Sequence, residues 1–215
     1  MKAATRTRRH KTRSQPTAST ETTKTRLVES CLDHVWVHGY AASSIASIAE
    51  AAKIPKGSVF YYFPTKDDVI LAAIEEYVSR AKARRQRELL APLPKRESYA
   101  ERLQAYFRAR MEARRAGRFQ RGCLLGNLAA EIDSGRSPKI AAAVRAGLTA
   151  FEGDILRVLH EAAEEGEIGR NIDLAVMAAT LVNGWEGALL RMKLSRSPKP
   201  LEDFISSLAN SRSAR

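Results

Sequence analysis

The stretch IPKGSVFYYFPTK, residues 54–66, sets Lys56 and Lys66 around a run of aromatic rings within about two helical turns. A packed core accounts for some of the rings but not for the lysines. Ammonium and phenol groups side by side suit phosphates and base edges. Lys56 stands at the start of a short helix, where its charge and the unpaired backbone N–H groups both attract phosphate oxygens. Gly57 removes a side chain where backbone and duplex must approach. Ser58, Tyr61 and Tyr62 can reach base edges or phosphates, and Lys66 supplies a further phosphate clamp. Helical spacing turns Val59 and Phe63 toward a core and Tyr61 elsewhere, and leaves Phe60 and Tyr62 open.

A second stretch, RGCLLGNLAAEI at 121–132, places Cys123 near the start of an expected helix, close to Arg118 and Arg121. A helix N-terminus and nearby cations stabilise a thiolate, so Cys123 is a candidate nucleophile. The alternative is a small buried apolar residue. Cys31 falls in an apolar helix stripe and reads as core. With only these two cysteines, a multi-cysteine zinc site and a disulfide framework are both disfavoured, and both thiols are expected free. His10, His34, His38 and His160 lack cysteine or carboxylate partners at ligand spacing, so no metal and no cofactor is assigned. Trp185 and Phe151 could line a cavity, with Asn127 or Glu186 as a polar contact; plain packing or surface is the other reading.

The elements that must hold these groups follow a helical period, and no segment alternates like a strand. Leu27, Val28, Cys31, Leu32, Val35 and Trp36 form one stripe, closed by Gly39. Ser43 or Ser44 caps a short second helix with Ile45, Ile48, Ala49 and Ala52 inward. Pro55 opens a third helix to about Tyr62, Pro64 ends it, and Thr65 caps a long fourth. The distal part of that helix, RAKARRQRELL, reads as solvated. APLPKRES at 91–98 breaks the pattern. Further helices are expected at about 98–116, 119–133, 138–165, 173–194 and 200–210. Gly184, Gly187 and Ala188 would let another helix approach closely, within this chain or from a second copy.

The chain has 215 residues, 44% of them apolar, and a net charge of +12. No apolar run nears the roughly 18–20 residues that span a bilayer, and the basic start is not followed by an apolar stretch, so a cytoplasmic protein is expected. The charge is uneven: residues 1–26 hold eight Lys/Arg against Glu21 alone, whereas residues 27–90 hold eight of each sign. Residues 1–24 therefore read as a disordered basic arm, either a solubilising tail or a collector of phosphates. Residues 25–70 form a three-helix helix-turn-helix unit and 71–215 a helical body. The fold class is all-α.

The succession IASIAEAAKIPKGSVFYYFPTKDDVI resembles the N-terminal signature of TetR-family transcriptional repressors, with Pro55 where the family often has Ser and Phe60 where it usually has Tyr. The resemblance implies a homodimer that binds palindromic double-stranded operator DNA and releases it when a small-molecule inducer enters the C-terminal ligand-binding and dimerisation domain. On this reading the DNA-contacting set is Ser43, Ser44, Lys56, Gly57, Ser58, Tyr61, Tyr62 and Lys66. GCLLGNLAAEI with the later WEGALLRMKL is similar to a TetR subgroup that responds to electrophiles such as N-ethylmaleimide and aldehydes. That likeness implies Cys123 as sensor and Lys193 as its neighbour; non-covalent binding in the same cavity is the alternative, and Asn127 and Trp185 complete the expected effector set from the residue reading above.

Two other classes compete. A thiol-dependent enzyme built on Cys123 needs a base oriented by a third group, and the sequence offers no such constellation. A nonspecific basic nucleic-acid-binding protein would use the +12 charge, with similar affinity for every duplex.

Overall fold

The computed structural model describes residues 18–92, 98–132, 135 and 137–210, and side chains within them from 22 to 209. Among these residues are nine helices and no strand: α1 Ala18–His38, α2 Ile45–Ala51, α3 Lys56–Tyr62, α4 Lys66–Glu88, α5 Tyr99–Arg115, α6 Leu124–Glu131, α7 Pro138–Glu164, α8 Leu174–Ser195 and α9 Lys199–Asn210. Residues 1–17 of the basic arm lie outside the described residues. Residues 18–24, assigned to the arm from composition, are instead the first turns of α1.

Local chemistry explains the helix starts. Ser44 and Ser47 form a reciprocal capping box at α2, Thr65 and Asp68 do so at α4, and Ser98 and Glu101 at α5. The hydroxyl of Thr65, hydrogen-bonded to Asp68, holds that carboxyl below its ordinary range. Asp173 caps α8 by accepting from the Ala175 and Val176 amides. Pro55 is the N-cap of α3 rather than its first helical residue.

α1 ends where Gly39 turns left-handed at φ +80 and donates its N–H to the Val35 carbonyl at 2.8 Å. A Cβ there would also collide with the Glu131 carboxylate of α6. Gly39→Ala should therefore lower unfolding stability by about 1–2 kcal/mol. Thermal denaturation checks this, and an unshifted midpoint would show that neither constraint operates.

α1 packs on α4 and on α2, and α2 on α3, as an N-terminal unit. α4 then continues against α7, and α5, α7, α8 and α9 close the body. One continuous core runs from Leu27, Ile48 and Val59 through Ile70 and Ile74 to Phe107, Ile155, Leu189 and Leu201. Burial corrects the expectation of a solvated distal α4. Leu89 is fully buried and Arg85 is 5% exposed, its Nε donating to Asp154 of α7 at 2.6 Å. Arg80, Lys82, Gln86, Arg87 and Glu88 of the run stay exposed as expected, and the departure is confined to the side that α7 covers.

Candidate nucleic-acid interface and effector cavity

α2 and α3 are joined by a tight turn in which Lys53 is left-handed at φ 54 and the Ile54 amide donates back to Ala49. Val59, fully buried, and Phe63, 7% exposed, fix α3 to the core. With those anchors inward, the opposite side carries Lys56, Phe60 and Tyr61, all exposed. Tyr61 is 77% exposed and Phe60 48%. Tyr62 is half-buried and meets Tyr61 edge to face at 5.0 Å, while a Cβ on Gly57 would meet open space. Ser58 is half-buried.

Two assigned contacts need revision. Ser43 is buried, and its hydroxyl donates to the Gly39 carbonyl at 2.5 Å, so it serves the α1–α2 turn and cannot face DNA. Ser44 remains exposed, with its hydroxyl accepting from the Ser47 amide. Lys66 is not a free phosphate clamp: its ammonium lies 3.8 Å over the Tyr40 ring and donates to the Tyr40 carbonyl at 3.2 Å. The Tyr40 hydroxyl in turn donates to Asp67 at 2.7 Å and meets Ser137 at 2.6 Å.

The second site is a cavity of about 60 Å³ between α4, α5, α7 and α8, room for about four waters. Phe151, Trp185, Leu125 and Leu148 give it apolar walls. Trp185 is held by Phe107 at 4.7 Å and Phe204 at 5.5 Å. Cys123 and Trp185 both line this space; Asn127 and Lys193 do not. Lys193 lies two turns beyond Glu186 on α8 and donates to the Asn127 side-chain Oδ1 at 3.4 Å, beside Gly122. That pair sits past the end of the cavity.

Cys123 is the N-cap of α6, yet its environment opposes a thiolate. Burial, with the Glu186 carboxylate beside it, pushes the thiol up to about 12. Its neighbour is the Tyr77 hydroxyl at 3.7 Å, itself raised well above the phenol range by burial. Arg121 is turned away, paired with Asp33 at 2.7 Å and stacked on Trp36. Burial also raises the Glu186 carboxyl. Sequence reasoning missed the remaining wall: Arg84, Arg85, Arg110 and Arg114 all line the cavity. Their spacing on α4 and α5 matches any solvated helix face, so no local signal marks them.

α6 connects the two sites. Its N-terminal end is held where Trp36 Nε1 donates to the Gly122 carbonyl at 3.1 Å, and its last residue, Glu131, accepts from the Ala41 amide at 3.1 Å. Among the described residues no group of three or more His, Cys, Asp or Glu side chains could hold a metal, and no helix is long and apolar enough to cross a membrane.

Residues 35–73 match the profile described as Bacterial regulatory proteins, tetR family, and residues 100–208 that of Tetracyclin repressor-like, C-terminal domain. The transcriptional regulator AcuR of Cereibacter sphaeroides is 36% identical over 183 residues, 83% of this chain and 80% of that protein. The HTH-type transcriptional repressor DhaR of Mycobacterium sp. strain GP1 is 31% identical over 171 residues, 78% and 80% of the two chains. Among solved structures, regulatory protein TetR from Rhodobacter sphaeroides superposes with a TM-score of 0.78 at 32% identity, covering 86% of this chain and 96% of that one. The reduced form of E. coli NemR gives 0.75 at 24% identity, covering 88% and 96%, a likeness of fold.

Proposed function

This chain belongs to the TetR family of bacterial regulatory proteins, and on that premise we propose that it is a homodimeric repressor that lays α3 of each subunit in the major groove of a palindromic operator and lets go when a small molecule fills the cavity. The observation that carries the reading is Tyr61, 77% exposed on a helix whose Val59 and Phe63 are locked inward. A large aromatic held outward by a rigid, buried anchor is arranged for a partner surface. Lys56 and Ser44, both exposed, serve as phosphate contacts, Gly57 leaves room for the backbone, and Tyr62 packs edge to face on Tyr61. As a regulator of transcription it works in the cytoplasm with the chromosome.

The test is selection of bound fragments from random duplexes, followed by affinity measurement. A sequence-specific repressor prefers one palindrome over random DNA by roughly 4–10 kcal/mol. Equal affinity for all duplexes, with a salt slope of about 0.9 per neutralised phosphate, would make it a nonspecific basic binder instead.

Pairing is supported by α8. Val176, Thr180, Asn183, Gly187, Leu190 and Leu194 recur at spacings of four and three along one exposed stripe. Val176, Leu190 and Leu194 are 61%, 58% and 88% exposed, and a Cβ on Gly187 would meet nothing. Gly184 and Ala188, the other small residues of α8, serve the chain itself: Gly184 admits the Phe204 ring and Ala188 is buried. A second copy of α8 covers the stripe in this proposal.

Release requires a ligand that favours one of two recognition-helix separations, near 34 Å when DNA is bound. Cys123 and Leu125 put the start of α6 in the cavity wall, and Glu131 puts its end on the α1–α2 turn. α6 thus joins α4 as a route by which cavity filling tilts the N-terminal unit.

The height of the Cys123 pKa favours non-covalent occupancy over thiol sensing. Native Cys123 should react with iodoacetamide at neutral pH at least about tenfold more slowly than in the urea-unfolded chain, because the thiolate is the reacting form. Peptide mass spectrometry over time measures both rates. Faster modification of the native protein would reinstate Cys123 as the sensor.

A further inference from the structure

We propose that the cavity receives a small organic carboxylate, its charged end held by Arg85, Arg110 and Arg114 and its short carbon chain against Trp185, Phe151 and Leu148. The inference rests on the reading of this cavity as the effector site and adds the chemical class of the effector.

The first support is an unmet set of donors. Arg85 Nη2, Arg110 Nε and Arg114 Nε are all buried and have no hydrogen-bond partner. All three residues line the cavity, and Arg85 is 5% exposed. Buried guanidinium nitrogens are ordinarily satisfied, and a set of them on one cavity marks the place of an acceptor. The second support is charge. Arg85 is paired with Asp154 and Arg110 with Glu88 at 2.5 Å, but Arg84 and Arg114 form no ion pair among the described residues. Burial and the charge of Arg84 pull Arg110 below the ordinary guanidinium range, as expected where cations crowd without enough anions. Glu186 is the one acid among the lining residues, and burial raises its carboxyl.

The third support is shape. Each guanidinium lies over a ring: Arg85 over Phe151 at 5.3 Å, Arg110 over Tyr106 at 5.5 Å and Arg114 over Trp185 at 5.6 Å. Stacking holds planar forks in fixed orientation, which suits two-point recognition of a planar carboxylate. The apolar walls exclude an ion with no carbon chain as the best fit, and about 60 Å³ restricts the ligand to a few heavy atoms.

The experiment titrates full-length dimeric protein with acetate, propanoate and butanoate, with propanamide as the uncharged isostere and inorganic phosphate as the purely ionic arm. Ionic strength is held constant, and heat and melting temperature are both recorded. At least one carboxylate should saturate the protein and raise its melting temperature, with propanamide and phosphate at least about tenfold weaker. Arg114→Gln loses no ion pair, only the Nη1 hydrogen bond to the Arg110 carbonyl and the stack on Trp185, so it should keep wild-type helix content without ligand and bind that carboxylate at least about tenfold more weakly. Arg84→Gln is the second variant should Arg114→Gln unfold. Absence of saturable binding by all three acids, equal binding of propanamide or phosphate, or an unaffected Arg→Gln variant would overturn the proposal.

Operator affinity is recorded separately in the same titrations. Saturable carboxylate binding that leaves the operator bound removes the induction reading while the anion site stands. Release by a neutral compound, with no carboxylate binding, does the reverse.

Discussion

Tyr61→Ala is expected to weaken operator binding by between about 30-fold and about 10⁴-fold while leaving the melting temperature unchanged. The range follows from roughly 1–3 kcal/mol for one base contact, incurred once in each of two half-sites. The fold should tolerate the change because the ring is 77% exposed and meets only the edge of Tyr62, whereas Val59 and Phe63 keep α3 anchored. Lys56→Ala should act differently. An exposed ammonium that meets phosphate weakens binding to all duplexes alike and lowers the salt slope by about one per subunit. Fluorescence anisotropy at two salt concentrations separates the two signatures. If Tyr61→Ala binds the selected palindrome within about twofold of wild type, α3 is not the reading element.

Leu190→Glu is expected to yield monomers that no longer hold the palindrome as a unit. Leu190 lies in the C-terminal half of the exposed α8 stripe, 58% exposed within the subunit, with Leu194 a turn further at 88%. Burying a leucine contributes about 1.5–3 kcal/mol, and two-fold symmetry counts it twice, so dissociation should strengthen by about two to four powers of ten. Two glutamates facing each other across the seam add repulsion. Helix content should not change, since the side chain turns away from the core of its own subunit. Light scattering and circular dichroism measure the two halves of this statement. A Leu190→Glu protein that stays dimeric would move the interface elsewhere on the surface.

The two sites differ in how far the chain betrays them. Around α3 the signals are local: a capping pair at Ser44 and Ser47, a tight turn, Pro64 after Phe63, and an anchor spacing of four between Val59 and Phe63. Each is a property of adjacent residues, so the outward placement of Tyr61 was readable in advance. Lys66 departs from its expected role because its partner Tyr40 lies 26 residues away, whereas Ser43 meets Gly39 only four residues back, in a turn whose geometry the residue types alone do not give. In the cavity almost nothing was local. Arg85 meets Asp154 across 69 residues, and Trp36 meets Gly122 across 86. Cys123 has the helix-start position that usually lowers a thiol pKa, and burial, with the Glu186 carboxylate beside it, reverses the sign. A helix dipole acts within one turn, but desolvation is set by everything that surrounds the group.

By itself, then, the order of residues determined an all-helical chain, its helix starts and stops, and a short helix with a lysine and a tyrosine facing out, because period and capping depend on neighbours a few positions apart. Which arginines lost their water, which serine turned inward, and whether Cys123 could ionise were decided only when α7 and α8 closed over α4 and α5. Burial is a property of the assembled layers, and no single helix contains it.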